Sequence, residues 1–242
     1  MKLKELKLTD FQKDQKYDFL FPIGSTEQHG PFIPFGTDTY ITDYLVEQVS
    51  KEFPELIILP TLEVSRSEEH KGFNGTLWLS EKTLKAVMFD ICNSLKDKAR
   101  NIFITSFHAN EPFIKNFIEN NVFDGVNIIY LEITNEEDDK IIEKILGGQL
   151  DGHAGNTEIS NMLVIDKKLV KLPSNDYPKS IVENPFETDN LIEKCPNGIA
   201  DNHPQWIIDE TIGKRILDIY VGRMIENLKT HPKNKSFSFL KG

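Results

Sequence analysis

The sequence predicts an α/β fold with a mostly parallel sheet covered by helices on both faces. Three observations carry this. Short apolar runs of strand length alternate with stretches whose apolar residues recur three or four apart. The runs end at loop-forming residues, such as Gly24 after Ile23 and Pro60 after Leu59. The stretches between them are long enough to serve as helical crossovers between parallel neighbours.

Asp18–Ile23 (DFLFPI) reads as the first buried strand, with Pro22 marking its end. Thr37–Phe53 carries Ile41, Leu45 and Val49 on one helix face. Glu55–Pro60 is a second strand. Ser80–Ala99 is a helix capped by Ser80, with Leu84, Val87, Met88, Ile91 and Leu95 inward. Asn101–Ser106 is a third strand, and Asn110–Asn121 a helix with Asn110 as cap and Pro112 in its first turn. Gly125–Ile133 is a fourth strand, followed by a helix around Ile141, Ile142 and Ile145. Gly155–Ile165 is helical, and Trp206–Leu228 is the last helix, with Ile208, Ile212, Ile216, Ile219 and Val221 inward. There is no internal repeat, so residues 1–242 read as one domain, with Thr230–Gly242 as a Lys-, Ser- and Pro-bearing tail.

Composition narrows the function. The chain has 38 acidic and 28 basic residues, a net charge of −10 and a pI near 5.1. That disfavours nucleic acid and anionic membranes, which need basic surfaces. Two cysteines, Cys92 and Cys195, form no metal-ligand pair and suit a reducing compartment. Met1–Asp10 has lysines without an apolar core, so a cytoplasmic location is expected. No apolar stretch reaches membrane-spanning length. Phosphate-binding glycine loops and a serine-nucleophile elbow are absent from the sequence.

In a parallel sheet, ligands bind outside the carboxyl ends of the strands. Three loops fall on that rim. The first, Gly24–Asp38 (GSTEQHGPFIPFGTD), holds Glu27, His29 and Asp38; its Gly and Pro residues turn the chain back on itself. Carboxylates mixed with imidazole suit Zn, Mn or Fe better than Ca or Mg. The second, Thr105–Glu111 (TSFHANE), puts His108 directly after a strand. The third, Asp151–Ser160 (DGHAGNTEIS), holds His153 and Glu158, the latter also read as a first-turn acid favoured by the helix dipole. A further loop, Ser65–Leu79, carries Ser67, Glu69 and His70, and in isolation reads as polar surface.

Glu27-Gln28-His29-Gly30-Pro31 with Pro34 and Thr37-Asp38 resembles the first signature of the creatininase (creatinine amidohydrolase) family. Ser67, Glu69 and His70 followed by Phe73-Asn74-Gly75-Thr76-Leu77 resemble its second block, with Asn74 at a usual proline position. Asp151, His153-Ala154-Gly155 and Glu158-Ile159-Ser160 resemble its His-Ala-Gly block, and Asn197-Gly198-Ile199 through Lys214 its C-terminal block.

The resemblance implies a three-layer αβα fold and a metal-dependent amidohydrolase that cleaves a cyclic or linear amide, or a formamide, of a small molecule. It implies two divalent ions per chain (Zn, Mn or Fe), with a metal-bound hydroxide as nucleophile. Glu27 and His108 would hold one ion, His29 the other, and Asp38 would bridge them. Glu158 would complete the second site, with Glu111 as the alternative, because Asn110 stands where creatinine-hydrolysing members have glutamate. His153 is the expected general acid, beside Glu158 as the second catalytic group. Ser67, His70, Phe107, Glu111 and His153 would face substrate, Glu111 also as a partner for a cationic group. A closed homo-oligomer, such as a hexamer, is also implied. The family's Asn-Gly-His-Gly-Gly-Asn block reads Ser-Phe-His-Ala-Asn-Glu here, from Ser106 to Glu111. That departure motivates the alternative of a degenerate metal- or metabolite-binding protein of the same fold.

Overall fold

The computed structural model describes residues 1–182 and 191–230. The expected tail lies outside the described residues except for Thr230. Four parallel strands, β1 (Tyr17–Ile23), β2 (Ile57–Ile58), β3 (Ala99–Ser106) and β4 (Asn127–Tyr130), form one sheet in the order β2–β1–β3–β4. Every pairing is parallel, from Asp18 opposite Asn101 to Ile23 opposite Ser106 in the β1–β3 ladder.

The strands bury both faces because successive side chains point to opposite sides. Leu20 of β1 and Phe103 of β3 face one layer; Phe19, Phe21, Ile102 and Ile104 face the other. The first layer contains α1 (Thr37–Glu52), α4 (Glu136–Ile145), α5 (Asn156–Asp166) and α7 (Glu210–Thr230). The second contains α2 (Glu81–Leu95) and α3 (Glu111–Glu119), through Leu84, Met88, Ile114 and Phe117. Each fully buried Phe or Leu contributes about 1.5–3 kcal/mol relative to exposure. A short helix, α6 (Leu191–Lys194), packs with Val182, Cys195 and Ala200 in a smaller cluster. This is the three-layer α/β arrangement expected.

Several boundaries differ from expectation, each for a local reason. β2 keeps only two ladder residues, since Pro60 has no N–H to continue it. Ala99 opens β3 opposite Tyr17 instead of closing the preceding helix. Ser80 does cap α2, accepting from the Thr83 N–H at 3.3 Å. Asn110 does not cap α3: its side chain turns inward and donates to Ser65 Oγ at 3.0 Å. Residues Trp206–Asp209 are not helical. Side chains of α5 hold their backbone, with Ile207 N–H donating to Asn156 Oδ1 at 2.7 Å and Asp209 N–H to Ser160 Oγ at 3.2 Å. The buried stripe of α7 is Ile216, Leu217, Tyr220, Met224 and Leu228, while Ile212, Ile219 and Val221 are half-buried around it. Among the described residues, no helix is long and apolar enough to cross a membrane.

Candidate metal centre

All four strands run the same way, so the loops after β1, β2 and β3 open on one rim. The N-termini of α1 and α5 face the same rim. These segments deliver Glu27 and His29, a one-turn 3₁₀ helix at Glu68–His70, His108, Asp38 and Glu158 respectively. Glu27, His29, Asp38, His70, His108 and His153 are all buried.

The loop after β3 is fixed before any ligand arrives. Phe107 N–H donates to Thr42 Oγ1 of α1, and Thr105 Oγ1 donates to the Leu131 carbonyl. His108 Nε2–H then donates to the Arg66 carbonyl at 2.7 Å, which leaves Nδ1 as the free lone pair. Nδ1 stands 3.4 Å from Glu27 Oε2 and 3.3 Å from Asp38 Oδ2. His29 is oriented by the same logic with the ring reversed. Its Nδ1–H donates to the Glu27 carbonyl at 3.0 Å, and Nε2 lies 3.6 Å from Asp38 Oδ1 and 3.7 Å from Glu158 Oε2. Glu158 Oε2 accepts the Ala154 N–H at 2.6 Å. Ala154, with φ of 57°, is the one non-glycine residue among the described residues held in the left-handed region.

Two donor sets result, Glu27–Asp38–His108 and His29–Asp38–Glu158, sharing Asp38; a third overlapping set is Glu27–His29–His153. Within each set the ligand atoms lie within 4.8 Å of one another. Glu27 Oε1, His29 Nε2 and Asp38 Oδ2 are buried without a hydrogen-bond partner. Such orphaned groups are costly in a folded protein unless something binds them. Carboxylate and imidazole donors with their lone pairs converging fit a divalent transition metal.

The cluster's charges hold one another. Burial opposes charge on Glu27, but the adjacent His108 and His70 outweigh it and keep its carboxylate well below the usual range. Burial likewise opposes charge on His29 and His108, yet Asp38 and Glu158 around the first, and Glu27 and Asp38 around the second, lift each to about 10. Asp38 falls to about 2, its burial outweighed by His29. Glu158 is pushed by burial up to about 8. His153 is driven well below its ordinary value by burial and by His70 and His29.

Gln28 organises the other side of the cluster. Its Nε2 is 2.9 Å from His70 Nδ1 and 3.0 Å from His153 Nε2, and its carbonyl accepts from His153 Nε2 at 2.7 Å. His70 Nε2 stands 3.1 Å from Glu27 Oε1, and His153 Nδ1 stands 3.8 Å from it. Gly198, at φ of 77°, packs so close to Gln28 that an added Cβ would sit 1.9 Å from its Oε1. Ser67 is fully buried behind Glu27, its Oγ 2.7 Å from Ser25 Oγ, which donates to Glu27 Oε2.

The structure therefore gathers Glu27, His29, Asp38, His70, His108, His153 and Glu158, and puts Phe107 on the wall of the adjoining cavity. Three expected substrate residues do not line that cavity: His70 is buried against Gln28 and Glu27, and the other two fall elsewhere. Ser67 supports Ser25 instead of facing the cavity, and Glu111, in the first turn of α3, pairs with Lys115 at 2.6 Å. Sequence reasoning missed Gln28 and the buried Lys179–Asp201 pair. Lys179 Nζ is 2.6 Å from Asp201 Oδ2, and Asp201 Oδ1 accepts the N–H groups of Gly152 and His203. Gln28 sits inside the Glu27–His29 motif, so its position was visible though its partners were not. Nothing local to Lys179 or Asp201 signals their pairing.

The cavity above the cluster measures about 280 Å³ and is lined by Asp38, His108, His153 and Glu158 among others. A larger hollow of about 530 Å³ lies at the far ends of β3 and β4, around Asn101, Val122 and Asn127. It holds no carboxylate or imidazole, so the smaller cavity is the chemically equipped one.

Comparison with known proteins agrees with this fold. The mycofactocin precursor peptide peptidase of Mycolicibacterium smegmatis is 27% identical over 152 residues, covering 60% of this chain and 57% of that protein. The peptidase of the same name from Mycobacterium ulcerans is 27% identical over 160 residues, covering 62% and 59%. The match thus spans under two thirds of these relatives' length. A solved creatinine amidohydrolase (creatininase) superposes with a TM-score of 0.69 at 19% identity, covering 96% of this chain and 98% of that one. A creatinine amidohydrolase homologue from Bacteroides fragilis gives a TM-score of 0.65 at 17% identity, covering 96% and 97%. Creatininase forms described as Zn–Zn and Mn superpose at 0.70 and 0.69, both at 19% identity and covering 94% of this chain and 96% and 97% of theirs. The family model for Creatininase (creatinine amidohydrolase) matches residues 4–228, so the chain belongs to the creatininase family of hydrolases.

Proposed function

We propose that this protein is a dinuclear metal-dependent amidohydrolase, with Glu27, Asp38 and His108 holding one ion and His29, Asp38 and Glu158 the other. The observation that carries this is the sharing of Asp38 between two buried donor sets whose imidazoles are turned by backbone carbonyls to present lone pairs. When bound, divalent ions supply Lewis acidity and lower the pKa of coordinated water from 15.7 towards about 7. Zn and Mn are the favoured ions, because both donor types suit them and related creatininases are described in Zn–Zn and Mn forms.

The chain's own groups supply the proton traffic. His153 donates through Nε2 to the Gln28 carbonyl, and its depressed pKa leaves Nδ1 unprotonated near neutral pH. That Nδ1, facing Glu27, is positioned to take a proton from the attacking water and return it to the leaving nitrogen. His153 thus acts as base before it acts as acid. His70 and Gln28 hold this imidazole in place. Glu158 and Asp38, which would hold metal, line the same cavity beside it.

The substrate is a compact amide. The peptidase relatives support a peptide bond, and the creatininase likeness supports a cyclic amide. A formylamino-pyrimidine is the third member of the class. The test loads purified protein with Zn or Mn, counts metal by mass spectrometry and screens creatinine, formamides and short peptides. About two ions per chain and hydrolysis of one class are expected. In Asp38→Ala both sites lose a donor, so metal content should collapse and turnover should vanish. Two ions and full turnover in Asp38→Ala would overturn the proposal.

A further inference from the structure

The cavity over the cluster has walls as well as a floor, and the walls select part of a substrate. Four carboxylates line it, Asp38, Asp139, Asp151 and Glu158, and among the described residues no Lys or Arg does. Three of the four are committed. Asp38 and Glu158 face the imidazoles of the cluster. Asp151 accepts the Thr157 N–H at 2.5 Å through one oxygen and the Thr157 hydroxyl at 2.6 Å through the other.

Asp139 differs. It lies in the first turn of α4, where Asp138 already has a cation. Arg223 Nε pairs with Asp138 at 2.6 Å, and Lys115 bridges Glu111 at 2.6 Å and Glu132 at 2.9 Å. No ion pair reaches Asp139 among the described residues, although Thr134 donates a hydrogen bond to it. The pairing of Glu111 with Lys115 also removes the residue to which the sequence assigned a cationic substrate group.

A second observation points to a ligand at the same wall. Tyr220 is 6% exposed and lines this cavity, its ring 5.8 Å from that of Phe107. Its hydroxyl makes no hydrogen bond among the described residues. A buried phenol ordinarily finds a partner, so an unused one on a cavity wall marks a place for a ligand atom. The rest of the wall is apolar, with Phe107, Ile142 and Leu150. At the Asp139 wall an anionic group would meet like charge, whereas a cationic nitrogen would meet a carboxylate that has no cation of its own.

Building on the hydrolase reading, we propose that Asp139 and Tyr220 form a subsite for a protonated amine, or a comparable cationic nitrogen, carried on an apolar scaffold beside the amide to be cleaved. Asp139 is the charge partner, Tyr220 the neutral polar contact, and Phe107 and Leu150 pack the scaffold.

The test uses three probes of matched shape on Zn-treated full-length protein: 2-phenylethylamine, 2-phenylethanol and 3-phenylpropionate. Binding is measured by calorimetry or ligand-observed NMR. The amine should bind at least about tenfold tighter than the alcohol, the scale of one charge-assisted contact. The propionate should gain nothing from this wall. Asp139→Asn should abolish the amine's advantage and leave the alcohol's affinity intact. Asp139→Glu, which keeps the charge, should preserve the advantage, and Tyr220→Phe should weaken both neutral and charged probes by a smaller factor. An amine that binds no better than the alcohol, or an advantage that survives Asp139→Asn, would overturn the subsite. Metal content measured on the same samples separates the two readings. Zn-free protein counts against the hydrolase, and Zn-replete protein indifferent to probe charge counts against the subsite. The comparison of wild type with Asp139→Asn at equal metal content reads Asp139 in either case.

Discussion

The two halves of the candidate metal centre share Asp38 but are built differently. The Glu27–His108 half hangs directly from the ends of β1 and β3, adjacent strands paired along their full length. Its histidine is locked by the Arg66 carbonyl, and its glutamate is braced by Ser25. The other half takes His29 from the loop after β1, but its Glu158 hangs from the first turn of α5 and the turn before it. There Ala154 adopts a left-handed conformation to give its N–H to Glu158, and Asp201 and Lys179 hold Gly152 from behind. Ligands mounted on strand ends arrive pre-positioned, whereas ligands mounted on a loop depend on every tether that shapes it. The first half should therefore bind its ion more tightly and the second should be lost first.

The most direct way to break this asymmetry is Glu158→Gln. It should reduce metal content from about two ions per chain to about one, since a neutral amide is a poor donor for a divalent ion. Retention of both ions would show that the third donor set, with His153, serves instead.

Lys179→Met probes the tether without touching a ligand. It leaves Asp201, whose side chain is fully buried, without its cation, at a cost of about 3–5 kcal/mol. Urea unfolding should register that loss, and the weaker ion should suffer about 10–100-fold in affinity, as for other supporting residues of metal sites. Equal weakening of both ions would erase the distinction between the halves.

Acidity should separate metal-free from metal-loaded protein. In the metal-free fold, His29 and His108 titrate near 10 instead of 6.5. A raised histidine contributes stability that is fully present below its unfolded value and is lost as pH climbs through the folded one. The melting temperature of metal-free protein should thus fall between about pH 6.5 and about pH 10. Metal must displace those protons, so the stabilisation on adding Zn should grow over the same window. Parallel pH profiles with and without metal would contradict the assignment of these imidazoles as ligands.

The smallest effect is at Ala154. A left-handed alanine costs about 1–2 kcal/mol, and glycine returns about 0.5–1 kcal/mol of that in chain entropy. Ala154→Gly should therefore raise stability by less than about 1 kcal/mol, read as a small increase in melting temperature with both ions retained.

The strand-mounted half was also the more legible one. Glu27 and Asp38 lie within twelve residues of sequence, and His108 follows an apolar run that reads as a buried strand. The Glu158 half was legible in part, because a first-turn acid has an innocent reading at a helix N-terminus. Asn110 misled as a cap because its type favours caps, whereas the fold uses it to hold Ser65 from within the core. Gln28, Lys179 and Asp201 were illegible because their meaning lies in contacts across more than twenty positions. No periodicity encodes a lysine at 179 meeting an aspartate at 201.

Gly198 has no functional group and touches no candidate ligand, yet its backbone lies where any side chain would strike Gln28. Displacing that amide would release the His70 imidazole that it steadies. A substitution at this bend, far along the polymer from the cations, would consequently masquerade as a lesion in the chemistry itself, and a survey confined to reactive side chains would overlook its origin.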